Sequence, residues 1–340
     1  MPLTALHPSA LPRPVRALAV LALLAAVALA AIAVALVVGS VAIDVATVWR
    51  ALGGERADAA TDIVRELRLP RALAAFATGG LLAVAGSLLQ VLLRNPLADP
   101  YILGTSGGAA VGTLAAMLAG AAAAVVPAAF GGALASTLLV FGLARTHGER
   151  APWNGPRLLL TGVVVASGWG ALIALMLTVA PMAQVKGMLF WLIGDLSGTT
   201  TGLPALVTLG VVLAATLPFA RDLNVLARGE DAAAALGVSV RALTLALHAL
   251  ASLATAVAVT TAGTVGFVGL IVPHGLRLVL GNDHRLLLPA AALAGGALLV
   301  LADTLARSVA APEQLPVGVV TALIGVPAFL WLLAREGTRR

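Results

Sequence analysis

Runs of about twenty mainly apolar residues, broken by short polar segments, recur along almost the whole of this chain. Each run is long enough to cross the hydrocarbon core of a bilayer as a helix. Ten are predicted, over residues 15–38, 71–93, 101–119, 121–144, 158–180, 203–220, 240–260, 265–280, 286–310 and 317–334. No soluble domain of any size fits between them. The expected fold is therefore an all-α integral membrane protein of about ten transmembrane helices, with residues 1–340 forming a single polytopic domain. The first run follows Arg13 and Arg16 and exceeds the roughly 7–15 apolar residues of a signal peptide, so it reads as a retained helix.

An even number of spans puts both termini on one side, and arginine placement says which. With the N-terminus inside, 14 of the 21 basic residues fall in cytoplasmic segments and 7 outside. Five of those seven (Arg50, Arg56, Arg65, Arg68 and Arg71) crowd into the first external segment, where the positive-inside rule disfavours them. Glu55, Asp58, Asp62 and Glu66 offset part of this charge. A solvated loop is one reading; a docking surface for an acidic partner outside the membrane is the other.

Composition agrees with a membrane protein: 60% hydrophobic and 11% charged residues, with a mean hydropathy of +1.04. A pI near 11.3 does not point to nucleic acid, because the basic residues are scattered over short loops instead of forming one face. The absence of cysteine excludes disulfides, iron–sulfur clusters and cysteine zinc sites. The only lysine, Lys186, sits in Gln184-Val185-Lys186-Gly187-Met188, which is no phosphate-binding loop. No catalytic triad, HExxH metal motif or nucleotide fingerprint is present, so neither a catalytic residue nor a metal site is assigned.

Few ionisable residues lie at membrane depth. His248 reads as a hydrogen-bonded helix contact; Asp303 and Arg307, four apart on one helix, can neutralise each other. Gly104, Gly108 and Gly112 repeat at four-residue spacing, and Gly263, Gly266 and Gly269 line a turn; both sets read as close helix contacts. Trp49, Trp153, Trp191, Trp331 and Tyr101 lie near span ends as interface anchors. Between the sixth and seventh spans, residues 221–238 read as a short amphipathic helix able to lie against a soluble subunit, or as a helical connector.

Five motifs occur in order: Arg68-Leu69-Pro70-Arg71; Arg94-Asn95-Pro96-Leu97-Ala98-Asp99-Pro100; the 223–237 loop; Gly266-Phe267-Val268-Gly269-Leu270-Ile271-Val272-Pro273-His274 with Arg277; and Leu315-Pro316-Val317-Gly318-Val319-Val320-Thr321. Together they resemble the FecCD family of ABC-importer permeases, which take up iron-siderophores, heme and cobalamin. The resemblance implies a homodimer in the bacterial inner membrane with two cytoplasmic ABC ATPase subunits below and a periplasmic substrate-binding protein above. No cofactor is bound permanently; ATP and Mg²⁺ belong to the partner subunits. The family's coupling segment corresponds to Leu223, Asn224, Leu226, Gly229, Glu230, Ala233, Leu236 and Gly237. The arginines that meet the binding protein correspond to Arg68, Arg71 and Arg307, and Asn95 and Leu97 match positions that close the inner end of the pathway. The 152–156 loop is expected near that gate. Pro273 is expected to kink its helix, with His274 satisfying the freed backbone groups.

Heme is favoured as cargo over siderophore and cobalamin, because a mostly apolar lining suits a flat hydrophobic ring. A secondary transporter working without an ATPase is the alternative, but it requires inverted repeats and midplane coupling residues, and neither is found. A passive channel would need a polar or carbonyl-lined filter, which is also not evident. Purified alone in lipid, the chain is expected to hydrolyse no ATP above background; robust hydrolysis would overturn the assignment of the motor to another polypeptide.

Overall fold

The computed structural model describes residues 13–55, 58–144 and 155–337, and these are helical nearly throughout. The elements are α1 (Arg13–Val37), α2 (Val45–Leu52), α3 (Ala59–Asp62), α4 (Leu69–Leu92), α5 (Thr105–Leu118), α6 (Val125–Ala144), α7 (Gly155–Val179), α8 (Met182–Ile193), α9 (Leu203–Thr216), α10 (Ala220–Leu226), α11 (Glu230–Ala235), α12 (Val240–Ala262), α13 (Val268–Leu280), α14 (His284–Ala306) and α15 (Val317–Gly337). All ten predicted spans are present as helices. Seven are long and apolar enough to cross a membrane, while α5, α13 and the apolar stretch Val317–Leu332 of α15 are shorter. Residues 145 and 150 and the greater part of the 152–156 loop, with Trp153, lie outside the described residues.

Two features depart from the hydropathy reading. The second span does not begin at residue 71: α3, a π-helical turn at Ile63–Arg68 and α4 form one continuous helix. Much of the supposed external loop is therefore helical, and Asp58 and Thr61 form a capping box at its start. The second departure is α8, an apolar helix of 12 residues between the fifth and sixth spans. At 1.5 Å per residue it is about 18 Å long, too short to cross the bilayer.

Helix association in a bilayer cannot draw on exclusion from water, so close packing at small residues must supply it. α4 is the centre of the bundle, with 89% of its apolar stretch buried. It runs antiparallel to α14 with backbones nearly touching. A Cβ added to Gly79 would overlap the Gly295 carbonyl, and one added to Gly295 would stand 2.6 Å from the Ala83 Cβ. Gly86 meets Gly269 of α13 in the same way. The predicted glycine spacing on α5 is used as expected: Gly108 packs on Gly132 and Gly112 on Ala128, both of α6. Of the second glycine set, Gly263 and Gly269 are tightly opposed, whereas Gly266 has open space around it.

Buried hydroxyls turn inward to satisfy their own helices, as Ser87, Thr216, Thr255 and Thr304 do by donating to the carbonyl four residues back. His248 does the same from Nδ1 to the Thr244 carbonyl at 2.8 Å and meets the Phe141 ring edge-on. Tyr101 is not an interface anchor. Its hydroxyl donates to the Val265 carbonyl and accepts from the Val265 amide, tying the start of α5 to the α12–α13 link. Pro273 lies inside α13, and the buried His274 ring packs against Phe329.

Replacing Gly79 or Gly295 with valine should force α4 and α14 apart. Overpacking of this kind costs about 1–3 kcal/mol. The expected outcome is a lowered thermal midpoint of the purified protein, while Gly142→Ala, with open space around it, leaves the midpoint unchanged.

Candidate functional site

α4 and α14 span the bundle in opposite directions, so each end of the pair brings together residues distant in sequence. At 1.5 Å per residue the two ends are about 35 Å apart. Polar side chains gather at both.

At the end where α4 begins, Arg68, Arg71 and Arg307 converge, as predicted for one site. Their surroundings differ from the prediction. A solvated loop or a docking surface would leave these guanidiniums accessible; instead Arg68 and Arg71 are covered and take different partners. Arg68 is 5% exposed and donates to the carbonyls of Leu36 and Val37 at 2.8 Å, and also to that of Val41. Arg307, 6% exposed, donates to the Ala35 carbonyl. Ala35, Leu36 and Val37 close α1, whose last carbonyls lack intrahelical partners and carry the negative end of the helix dipole. Two guanidiniums thus cap one helix C-terminus. Gly39 leaves the space for them, since a Cβ there would stand 2.9 Å from the Arg68 guanidinium and 3.2 Å from that of Arg307.

Arg71 takes the one carboxylate in the cluster. Its Nε and Nη2 hold Asp303 at 2.8–3.1 Å, and Nη1 donates to Gln314 at 2.8 Å. The expected pairing of Asp303 with Arg307 is correspondingly loose, at 3.9 Å, and Arg307 Nε has no hydrogen-bond partner. Asp303 is therefore bidentate to Arg71 and only a secondary partner of Arg307.

At the opposite end, α10 and α11 form the predicted short helical segment. Its predicted residues divide by orientation. Leu223, Leu226 and Ala233 are buried and fasten the segment to the bundle. Leu236 is 70% exposed, and Glu230 is partly exposed. Gly229 and Gly237 take φ of +128° and +81°, which start and end α11 where a side chain would strain the backbone. A groove of about 630 Å³ runs between this segment and α12, lined in part by Val225, Leu236, Val238 and Leu243.

Asn224 has a role that the sequence did not reveal. Its amide donates to Asp283 Oδ1 at 2.9 Å, and its oxygen accepts from the His284 backbone amide at 2.9 Å and from His284 Nδ1 at 2.6 Å. The short segment is thereby clasped to the start of α14. This bond also holds the Asp283 carboxyl below its ordinary range, so it stays ionised at neutral pH. Asp283 and His284 lie about sixty positions from Asn224, and no local pattern marks them.

Asn95 and Leu97 stand beside this segment. Asn95 Oδ1 accepts from the Leu97 amide at 2.9 Å, a local turn following α4. Leu97 is 43% exposed. Arg94, at a φ of +46° uncommon for a side-chain-bearing residue, reaches Glu230 at 3.5 Å. Arg94, the residue before Asn95, thus meets the residue at the turn of the short segment.

The chain is a helical membrane bundle that carries a short helix pair at one end. Residues 19–335 match the FecCD transport family, and the chain belongs to it. It is 45% identical over 284 residues to the cobalamin import system permease protein BtuC of Halobacterium salinarum, covering 82% of this chain and 74% of that protein. It is 39% identical to the hemin transport system permease protein HmuU of Yersinia pestis, covering 89% and 91% of the two chains. The Fe(3+) dicitrate transport system permease protein FecD of Escherichia coli is 41% identical, covering 80% and 85%. Among solved structures, an inward-facing metal-chelate type ABC transporter superposes with a TM-score of 0.82 at 28% identity, covering 93% of this chain and 99% of that one.

Asp303 is the anion for a cluster of three cations. Removing it should leave buried guanidiniums uncompensated, at a cost of about 3–5 kcal/mol. Asp303→Ala is expected to lower the thermal midpoint sharply, and pairing it with Arg71→Met should recover part of the loss. Equal midpoints for the parent and Asp303→Ala would show that the cluster is solvated.

Proposed function

We propose that this chain is the membrane-spanning subunit of an importer that moves a metal-bearing tetrapyrrole or chelate into the bacterial cytoplasm. It works as a homodimer in the inner membrane, with both termini cytoplasmic. Two separate ABC ATPase subunits bind the α10–α11 end, and a periplasmic binding protein delivers cargo at the Arg71 end. Family membership supports the importer class. The observation that carries the ATPase contact is a short helix pair anchored by buried Leu223, Leu226 and Ala233 that leaves Leu236 exposed to solvent. An apolar side chain held outward on a rigid support suits insertion into a groove of a soluble partner.

In this reading, ATP-driven closure of the partner subunits pushes on α11. The push passes to α14 through Asn224 and to the Asn95–Leu97 turn through the Glu230–Arg94 pair. The path along the dimer axis then switches between outward and inward access. Docking of the binding protein draws on Arg68, Arg71 and Arg307. Their internal contacts set the terms: an incoming carboxylate reaches Arg71 by sharing or displacing Asp303. Heme is the cargo favoured over iron-siderophore and cobalamin, since the helices offer chiefly aliphatic side chains to a flat ring.

The experiment is uptake by vesicles holding this chain, its ATPase and its binding protein, supplied in turn with heme, an iron-siderophore and cobalamin. ATP-dependent uptake of heme above the other two is expected. Transport of none of the three, or transport without the ATPase, would overturn the reading. Leu236→Glu alters an exposed position and Glu230→Arg a half-buried one at the surface, so they should leave the fold intact while reducing ATPase association and uptake by about tenfold or more, as loss of an interface anchor does. Unchanged association in both variants would remove this segment from the contact.

A further inference from the structure

Between the end of α4, the α10–α11 segment and the α13–α14 corner lies a cavity of about 190 Å³, lined by Gln90, Arg94, Pro96, Arg277, Asn282 and His284 among others. Its described lining contains two guanidiniums and no carboxylate. Two of its side chains are buried with a polar atom left unpartnered. His284 is 1% exposed and its Nε2 has no hydrogen-bond partner; Gln90 is 3% exposed and its Oε1 has none.

The protonation of these atoms follows from their neighbours. Asn224 must present oxygen to His284, because that oxygen also accepts the His284 backbone amide while the Asn224 nitrogen donates to Asp283. His284 Nδ1, 2.6 Å from the same oxygen, therefore carries the proton. In the neutral ring Nε2 is a bare acceptor. Gln90 directs its amide nitrogen at the carbonyls of Ala98 and Leu270, at 3.4 and 3.2 Å, so its orphaned atom is also an acceptor. Arg277 donates one N–H to the Ser87 carbonyl at 3.2 Å, and Arg94 meets Glu230 at 3.5 Å. Each guanidinium carries five donors, so both retain capacity for a further acceptor.

The cavity thus asks for a ligand that is anionic towards Arg277 and Arg94 and yet donates a proton to His284 or Gln90. Sulfate and phosphodiesters accept but do not donate. Hydrogen phosphate, and a phosphomonoester that keeps one proton, do both through a single O–H, in a tetrahedral group small enough for a cavity that would otherwise hold several waters. We propose that this cavity is a binding site for a protonated phosphate group. The occupant would touch the turn before the gate residues, the α10 end and the start of α14 together. The site is independent of the transport cargo.

The test is isothermal titration of the full chain in phosphatidylcholine nanodiscs with inorganic phosphate and with sulfate, in chloride buffer. Saturable phosphate binding is expected, with sulfate at least about tenfold weaker because it lacks the proton to donate, a difference of about 1.4 kcal/mol. Arg277→Gln and Arg94→Gln should each weaken phosphate by a similar factor; Arg94 is at the surface, so its variant reads binding even if the other folds poorly. Nanodiscs containing phosphatidic acid separate the sources. Loss of the phosphate signal there identifies a lipid monoester as the occupant, and an unchanged signal identifies free phosphate. No saturable binding, equal binding of sulfate, or parent-like affinity in Arg94→Gln would overturn the proposal and leave the cavity to water.

Discussion

The close contact between α4 and α14 is the constraint on which the remaining structure depends. Within lipid there is no hydrophobic gain from pressing one apolar helix against another, so contact must come from fit. Gly79 against Gly295 lets two backbones meet with no side chain between them, and Gly86 against Gly269 extends the same arrangement to α13. Because α4 is buried along nearly its whole length, a change in its spacing to α14 is felt by α1, α9, α12 and α13 together. The contact also fixes the axial register of the pair, which decides which residues meet at the two ends.

Those ends are built on different electrostatic terms. Where α4 begins, Arg71 holds the one carboxylate of the cluster, and Arg68 and Arg307 face the carbonyls at the end of α1. A helix C-terminus is a partial negative charge that needs no acidic side chain, which explains how so much positive charge is tolerated beneath the surface. Where α14 begins, neutral and anionic groups do the joining: Asn224 bridges Asp283 and His284. A helix running from one cluster to the other offers a direct physical connection between the two ends of the bundle.

Much of this was legible in the chain itself. Ten helical spans follow from hydropathy because a bilayer permits few alternatives: backbone groups must be satisfied internally, so a long apolar run has to be a helix. The glycine spacing on α5 announced its contact with α6, and the unusual crowding of arginines before residue 71 marked a special region. α8 was not legible as a separate element, since 12 apolar residues fit neither a span nor a loop. The π-helical turn at Ile63–Arg68 was hidden for a similar reason, because its polar residues look like loop.

The sequence alone determined the class of fold, the absence of a phosphate-binding loop and the places of the helical spans, because composition and period act locally. Only the tertiary structure decided orientation and partnership. It turned Arg68 and Arg307 inward onto α1, gave Asp303 to Arg71 instead of to its helical neighbour, and brought Asn224 to His284 and Arg94 to Glu230. Each of these pairings joins residues from different helices or the turns that follow them. Their meeting is set by which backbones can approach closely enough to touch, and no pattern along one helix encodes that distance.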